Sequence, residues 1–492
     1  MLNNCVEGSL LRLVNPDWLS KEMITGIKKF NLDAYLVALE GWRRGLSLKW
    51  YYSPEQLPDN IVKGTNPIGK MFSLGTGEDL HYFYRTRGGL VSADAVKVAE
   101  DKVKTRKYLA NATVSIPKGQ GFDKTMSDEE VIADAKEIGF PLVIKSAVSK
   151  SGKAVITNIQ SEEALRAAVK EVRNEKEHPR VIVEQFCSGD TLRVYVAGDR
   201  ILGAIKRIPA YVIGDGKKSI ESLIIAKNKA RKENAFFATR PISITEEVFK
   251  VIESQNYTLQ SVPKAFDTVY IKNSSNVYEG GETIDITDTL SSDVYQMAVN
   301  AVKSIPGLHH AGVDIMATDR GNFVIELDPT ATLGLHLFPS EGCPRNIPAG
   351  IIDYYFPETK GLAEERAQIY FDYKQIRDLL LSKQIKEVEI TDAPNGKIYA
   401  KRYVISGKVQ QVGYRNWVRR NALKHDLNGY TRNLGNGKVV VVVGSEDEKK
   451  VNAFKDICYE GPRRAHVEDI REYDWEKRVK VGFEIKAKNK LL

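Results

Sequence analysis

The chain has 492 residues, 42% of them hydrophobic and 28% charged, with a net charge of +8. That length exceeds a single core, so two to four domains are expected, and the composition excludes a disordered chain. No apolar run nears the roughly 20 residues of a bilayer span, no secretory signal opens the sequence, and four scattered cysteines suit neither zinc nor a disulfide framework.

These features predict a cytoplasmic protein with no membrane partner. Residues 1–95 read as a small α/β unit. Asp33 to Trp50 (DAYLVALEGWRRGLSLKW) has the pattern of a helix followed by a strand, and Gly75, Gly77, Gly88 and Gly89 close the unit. Residues 96–110 have helical spacing and composition. Residues 141–145 (PLVIK) and 153–157 (KAVIT) are short β-rich runs joined by a polar turn, a hairpin pattern. Ser161 before EEALRAAVKEV suits a helix cap followed by acids that favour the N-terminus. Residues 181–183 (VIV) and 323–326 (FVIE) read as strands.

Composition changes after Pro357. Residues 358–398 are charged and mixed and end in DAPNGK, which reads as a linker. From residue 401 the order becomes strand, helix, strand, strand, helix, strand. RYVIS is the first strand and 415–425 the first helix. GYTRN and KVVVVV are joined by the turn LGNG. EDEKKVNAFKDICYE is a helix with Val451, Phe454 and Cys458 on one face, and a last strand lies near 467–475. This is the split βαβ, ferredoxin-like order over residues 399–492. Residues 401–492 hold 21 Lys and Arg against 12 Asp and Glu, while the rest of the chain is nearly neutral. A solvated basic face or an anionic ligand would explain that bias. Nucleic acid is disfavoured, because no recognised nucleic-acid motif accompanies the charge.

The middle of the chain holds residues suited to making an acyl phosphate. Lys102 on a helix and Lys145 at a strand end can each meet phosphate oxygens as point charges. The turn at 149–153 adds backbone N–H groups and the ammonium groups of Lys150 and Lys153. Glu326 and Asp328 alternate onto one face of a strand, and Asp314 lies in AGVDIM. Three such carboxylates suit Mg2+, which takes hard oxygen ligands and leaves positions for phosphate and water.

VIVEQFCSGDTLRVYVAGDRILGAIKRIPAYVIGDGKKSIESLI, then GGETIDITD, AGVDIM and HLFPSEGCPRNIPAGIIDYYFP, together resemble the ATP-grasp ligase domain of cyanophycin synthetases over residues 96–357. The resemblance implies an ATP-grasp fold, with ATP held between two α+β lobes. It implies phosphate contacts from Lys102 and Lys145, Glu184 at the adenine hinge and Asp190 near the ribose. Arg193 and Arg207 would stabilise phosphate or the acyl phosphate, and Asp314, Glu326 and Asp328 would hold magnesium. His336, Ser340, Glu341 and Arg345 stand at the acceptor-side block, where an Arg can grip a carboxylate and a Glu an ammonium. Asp328 replaces the usual Asn, the 149–153 loop has one glycine where relatives often have several, and no Mur-ligase-like domain is evident. Polymer synthesis is therefore not inherited from the likeness.

At the C-terminal end, GKVQQVGYR joins a strand to a helix, a junction whose free N–H groups and helix dipole favour phosphate. Arg415 adds a charged fork, and Asn433 ends the YTRN strand where it can orient a water. This loop, GYTRNLGNGKVVVVVGSEDEKKVNAF and GPRRAHVEDI resemble acylphosphatases over residues 399–476. The likeness implies that Arg415 binds phosphate and Asn433 positions the attacking water. Gln411 stands where that family has Gly, and would be strained if the position needs φ > 0.

The expected protein is an ATP-dependent ligase that joins a small-molecule or peptide carboxylate to an amine through an acyl phosphate, fused to a domain that hydrolyses acyl phosphates. Related ligases are compatible with a homo-oligomer. The alternative is an acylphosphatase governed by a nucleotide-sensing ATP-grasp module that does not ligate.

Overall fold

The structure is a computed structural model that describes residues 16–487 apart from 17, 60, 62, 63, 65, 149–153, 176 and 365. Lys150 and Lys153 thus lie outside the described residues. Among those described, no helix is long and apolar enough to cross a membrane.

The first body is helix Phe30–Arg43 over an antiparallel sheet. The expected helix-then-strand reading of 33–50 matches this helix and strand Ser47–Tyr51. Strands Met71–Gly75, Leu80–Tyr84 and Arg87–Gly88 follow in order on one side. The other edge comes from far along the chain, as strand Glu387–Ile390 pairs with Ser47–Tyr51, Leu48 opposite Ile390. Residues 358–398, expected as a linker, are therefore built into this body. They also form helix Tyr373–Leu381, and Ile369, Phe371, Tyr373, Ile376 and Leu380 join Tyr35, Trp42, Trp50 and Phe72 in one core. A short amphipathic stretch reads as mixed in isolation; its apolar side chains are buried only once distant strands meet.

The expected helix over 96–110 is two helices, Ala93–Ala99 and Lys102–Asn111. Asp101 makes the break: its side chain accepts from the Val103 and Lys104 amides at 3.1 and 3.2 Å, a cap that starts a new helix at Lys102. Two lobes follow. The first is a four-stranded antiparallel sheet ordered Gly119–Phe122, Val181–Gln185, Leu142–Ser146, Val155–Ile159, covered by helices Asp128–Lys136 and Glu162–Lys170. Ser161 caps the second helix through the Ala164 amide at 3.2 Å. The second lobe is a five-stranded antiparallel sheet ordered Glu282–Asp285, Arg200–Ile208, Asp190–Ala197, His310–Thr318, Gly321–Asp328, packed on helix Ser292–Lys303.

The C-terminal domain has the expected ferredoxin-like arrangement. Its sheet runs His466–Asp474, Tyr399–Lys408, Val439–Ser445, Asn428–Asn433, Phe483–Ile485. Helices Tyr414–Lys424 and Glu448–Glu460 cover one face, burying Val418, Ala422, Val451, Phe454 and Cys458. The chain then returns: Val479–Lys480 pairs with Ile369–Tyr370 of the first body, and Phe483–Ile485 adds a parallel strand beside Asn428–Asn433. One short segment thereby fastens the two bodies together. Cys187 and Cys458 are free thiols. Cys343 is disulfide-bonded, which the scattered spacing had not suggested.

Candidate functional site

Sheet register builds the first site. Arg193 lies directly opposite Asp314, and Asp314 directly opposite Glu326, so the three form a row across adjacent strands. Alternation puts Asp328 on the same face as Glu326. Arg207 joins them by reaching Asp314 with both terminal nitrogens, at 3.3 and 3.1 Å. A register shift between Asp314 and Ile315 pairs Ile315 with Val324, so Ile325 is an extra residue in its strand. The bulge lets Val324 enter the core beside Ile315 while Glu326 still faces the site.

The charges in this row neutralise one another. Arg193 Nη2 donates to Asp314 Oδ2 at 2.8 Å and Arg193 Nη1 to Asp328 at 3.4 Å. Burial alone would raise the Asp314 carboxyl, but Arg193 and Arg207 outweigh it and hold it at about 2. Burial lowers the pKa of Arg207, whose Nε is buried without a hydrogen-bond partner. Lys102 Nζ lies 3.1 Å from Glu326 Oε1. In the other lobe Lys145 Nζ donates to Glu184 Oε2 at 2.7 Å, and Arg106 engages the second Glu184 oxygen at 3.0 Å. Lys102, Arg106, Glu184 and Glu326 line one cavity of ≈ 20 Å³, which joins the two sets of charges. Arg106 escaped the sequence reading, although it lies one helical turn from Lys102.

Among the described residues no group of three or more His, Cys, Asp or Glu side chains is placed to hold a metal ion. Asp314 is clamped by its arginines, whereas Glu326 and Asp328 are partly exposed, at 41% and 38% of their side chains. Lys102, Arg106, Lys145, Arg193 and Arg207 face Glu184, Asp314, Glu326 and Asp328, so this cluster of cations and acids is close to neutral. A triphosphate entering here needs further positive charge, and the oxygen donors at hand are those magnesium takes. Two carboxylates suffice for an ion that takes its other ligands from phosphate and water, and Glu326 and Asp328, though paired with Lys102 and Arg193, are the more exposed two.

The remaining expected residues are more dispersed. Asp190 starts its strand at the site's edge and pairs with Lys206 at 2.6 Å. His336 is buried, edge-on to Tyr195, with both ring nitrogens unpartnered, so it does not lie on an open acceptor surface. Burial, then Arg193 and Arg207, depress it to about 3. The Ser340 amide donates to Thr283 at 2.8 Å, and the Glu341 carbonyl accepts from the Asp285 amide at 2.9 Å. Glu341 is exposed. Arg345 is already engaged, with Nη2 2.6 Å from both Asp285 and Asp288.

The C-terminal domain holds a second candidate site. Gly413, at φ +80, ends the loop before helix Tyr414–Lys424, and Arg415 lies in the first turn. Gln411 adopts φ +63, the left-handed conformation that its replacement of Gly made a concern. Gln410, which the sequence did not single out, donates to the Leu434 and Lys438 carbonyls at 2.9 and 2.8 Å and ties the loop to the turn after Asn433. Asn433 Oδ1 is buried without a partner, a free acceptor at the end of its strand. The arrangement offers cationic and N–H groups to a phosphoryl group and an amide to a water.

Residues 99–332 match the family described as ATP-grasp domain, and residues 401–485 match the acylphosphatase family. Cyanophycin synthetase of Synechocystis sp. is 29% identical over 296 residues, which is 58% of this chain and 34% of that protein. The glutathione biosynthesis bifunctional protein GshAB of Clostridium perfringens is 25% identical over 352 residues, 68% of this chain and 42% of that protein. A solved acylphosphatase from Coxiella burnetii is 26% identical and covers 18% of this chain and 93% of its own, with a TM-score of 0.18. The chain thus spans about a third of the cyanophycin synthetase it matches. It carries an ATP-grasp domain resembling those of cyanophycin synthetases and a C-terminal acylphosphatase domain.

Proposed function

We propose that the chain is an ADP-forming, ATP-dependent carboxylate–amine ligase fused to an acylphosphatase. In the ligase half a carboxylate oxygen attacks the γ-phosphorus of ATP, the bond to ADP breaks and an acyl phosphate forms. An amine then attacks the acyl carbon, the carbon–oxygen bond to phosphate breaks, and the amine's proton passes to phosphate or water. Lys102 and Lys145 hold phosphate oxygens, Glu184 and Asp190 meet the nucleoside, and Arg193 and Arg207 stabilise the transferring phosphoryl group. Glu326 and Asp328, with Asp314 beside them, would hold magnesium, which would supply the positive charge that the near-neutral cluster lacks. Ser340 and Glu341 flank the acceptor side, with Arg345 and buried His336 supporting them. The reaction takes place in the cytoplasm, where ATP is supplied, and its substrates are amino acids or peptides.

The supporting observation is the row Arg193–Asp314–Glu326 with the unpartnered Arg207 Nε beside it. A buried N–H without an acceptor favours an incoming anion. In the second half Arg415 binds the phosphoryl group and Asn433 holds the attacking water. Both halves then handle the same mixed anhydride, and the second removes acyl phosphates that meet no amine.

The test is ADP release from Mg-ATP over pools of acids and amines, with mass spectrometry of the products. ADP formation that requires both an acid and an amine, with an amide product, supports the ligase; no such dependence in any pool defeats it. Arg415→Ala should raise amide formed per ATP consumed. Unchanged stoichiometry would remove the link between the halves.

A further inference from the structure

A groove of ≈ 880 Å³ separates helix Tyr373–Leu381 of the first body from helix Tyr414–Lys424 of the acylphosphatase domain, and the returning segment lines it between them. Its size is that of a site for a small organic ligand. Two elements that build it lie outside the acylphosphatase core: helix Tyr373–Leu381 and the Val479–Lys480 strand, held by Lys480 on Asp372 at 3.0 Å. A free-standing acylphosphatase domain would not possess this groove.

One helix runs from the phosphate-binding loop to the groove. Arg415, Arg419 and Leu423 follow at steps of four, so they lie along one side of helix Tyr414–Lys424, with about 6 Å of rise between neighbours. Arg419 and Leu423 line the groove, and Arg415 stands one turn nearer the loop. A phosphoryl group held at Arg415 leaves its acyl body within reach of Arg419. The lining is of mixed character. Leu379 and Leu423 are large apolar side chains left 43% and 48% exposed. Lys374 and Arg419 supply positive charge, and Asp378 supplies negative charge.

We infer that this groove is the acyl-group subsite of the acylphosphatase domain and that it takes aminoacyl or peptidyl phosphates. The inference rests on the acylphosphatase reading above and deepens it by naming the substrate class. A plain aliphatic or aryl group meets only the apolar part of the lining, Leu379 and Leu423 with Val481, Phe483 and Ile485, and leaves the charges unused. An acyl group with its own ammonium and carboxylate can also meet Asp378, Lys374 and Arg419. In the hydrolysis, water oxygen bonds to phosphorus, and the phosphorus–oxygen bond to the acyl group breaks. The bonding electron pair leaves with the carboxylate, and both water protons end on the released phosphate. The first body thus lends specificity to the second, matched to the class of anhydride that the ligase half would form from peptide-like acids.

The experiment uses the full chain and compares a synthetic dipeptidyl phosphate, carrying a free ammonium and side-chain carboxylate, with benzoyl phosphate. The expected KM for the dipeptidyl phosphate is at least tenfold lower. Arg419→Ala and Asp378→Ala should each raise that KM about fivefold or more, leaving kcat and the benzoyl phosphate KM unchanged. Equal KM values for the two substrates, or variants that shift both alike, would overturn the subsite while leaving the acylphosphatase reading intact. Failure of the unaltered chain to hydrolyse benzoyl phosphate or the dipeptidyl phosphate would overturn the catalytic reading, and the subsite with it.

Discussion

Lys145 and Glu184 meet diagonally across neighbouring strands, ammonium to carboxylate at 2.7 Å, and both are buried. Arg106 holds the other Glu184 oxygen, so one carboxylate balances two cations. Removing that carboxylate strands buried positive charge, which costs about 3 kcal/mol or more. Glu184→Ala should therefore lower stability more than Lys145→Met/Glu184→Ala, measured by urea unfolding of the two variants. A double variant no more stable than the single one would mean that water reaches Lys145 freely.

Arg415 and Asn433 sit in a domain with its own core, apart from the ATP-grasp lobes. Arg415→Ala and Asn433→Ala should each lower benzoyl phosphate hydrolysis by 10²-fold or more, roughly 2.7 kcal/mol of transition-state stabilisation. ADP formation by the ligase half should be unaffected in the presence of acid and amine. A matching loss in both assays would show that the substitutions damage folding rather than one site.

Gln411 is held at φ +63 in the loop before Gly413. A side chain in that conformation costs about 1 kcal/mol relative to Gly, partly offset by the extra freedom Gly gives the unfolded chain. Gln411→Gly should raise the thermal midpoint of the acylphosphatase domain slightly, with hydrolysis equal or faster. A lower midpoint would mean that the Gln411 side chain makes a stabilising contact.

Local pattern and register explain what was legible. Alternation along VIELD put Glu326 and Asp328 on one face, and helical spacing put Val451, Phe454 and Cys458 on one side, because both periods act within a few residues. The extra residue Ile325 could not be read this way, since a bulge is decided by which core a partner strand fills. Arg345 illustrates another limit. Its guanidinium suits a substrate carboxylate by type, but Asp285 and Asp288, about sixty residues away, already occupy it.

Two histidines make stability depend on pH. Burial, reinforced by nearby cations, lowers His336 and His310 to about 3, against an ordinary value near 6.5. Below about 6.5 the unfolded chain takes up protons that these folded imidazoles refuse until about 3. Stability is then lost as pH falls through that window, by up to ~1.4 kcal/mol per pH unit for each histidine. The urea midpoint of the ATP-grasp region should drop between pH 7 and pH 5, and His336→Gln should flatten the slope. An unchanged slope would assign the acid sensitivity elsewhere.

Leu380 tests whether residues 358–398 belong to the first body or merely span a gap. Its side chain is fully buried on helix Tyr373–Leu381, in the same core as Trp42 and Trp50, more than 300 residues earlier. Neighbouring Leu379 points outward and is 43% exposed. A buried Leu→Ala change forfeits transfer energy and leaves a cavity, about 3 kcal/mol in all, whereas an exposed one falls within about 0.5 kcal/mol. Leu380→Ala should therefore destabilise the first body strongly and Leu379→Ala hardly at all, followed by the fluorescence of buried Trp42 and Trp50 during unfolding. Because strand Glu387–Ile390 completes the sheet edge at Ser47–Tyr51, loosening this segment also exposes backbone groups of that edge. Equal and small effects at the two leucines would mean that the sheet closes without the segment.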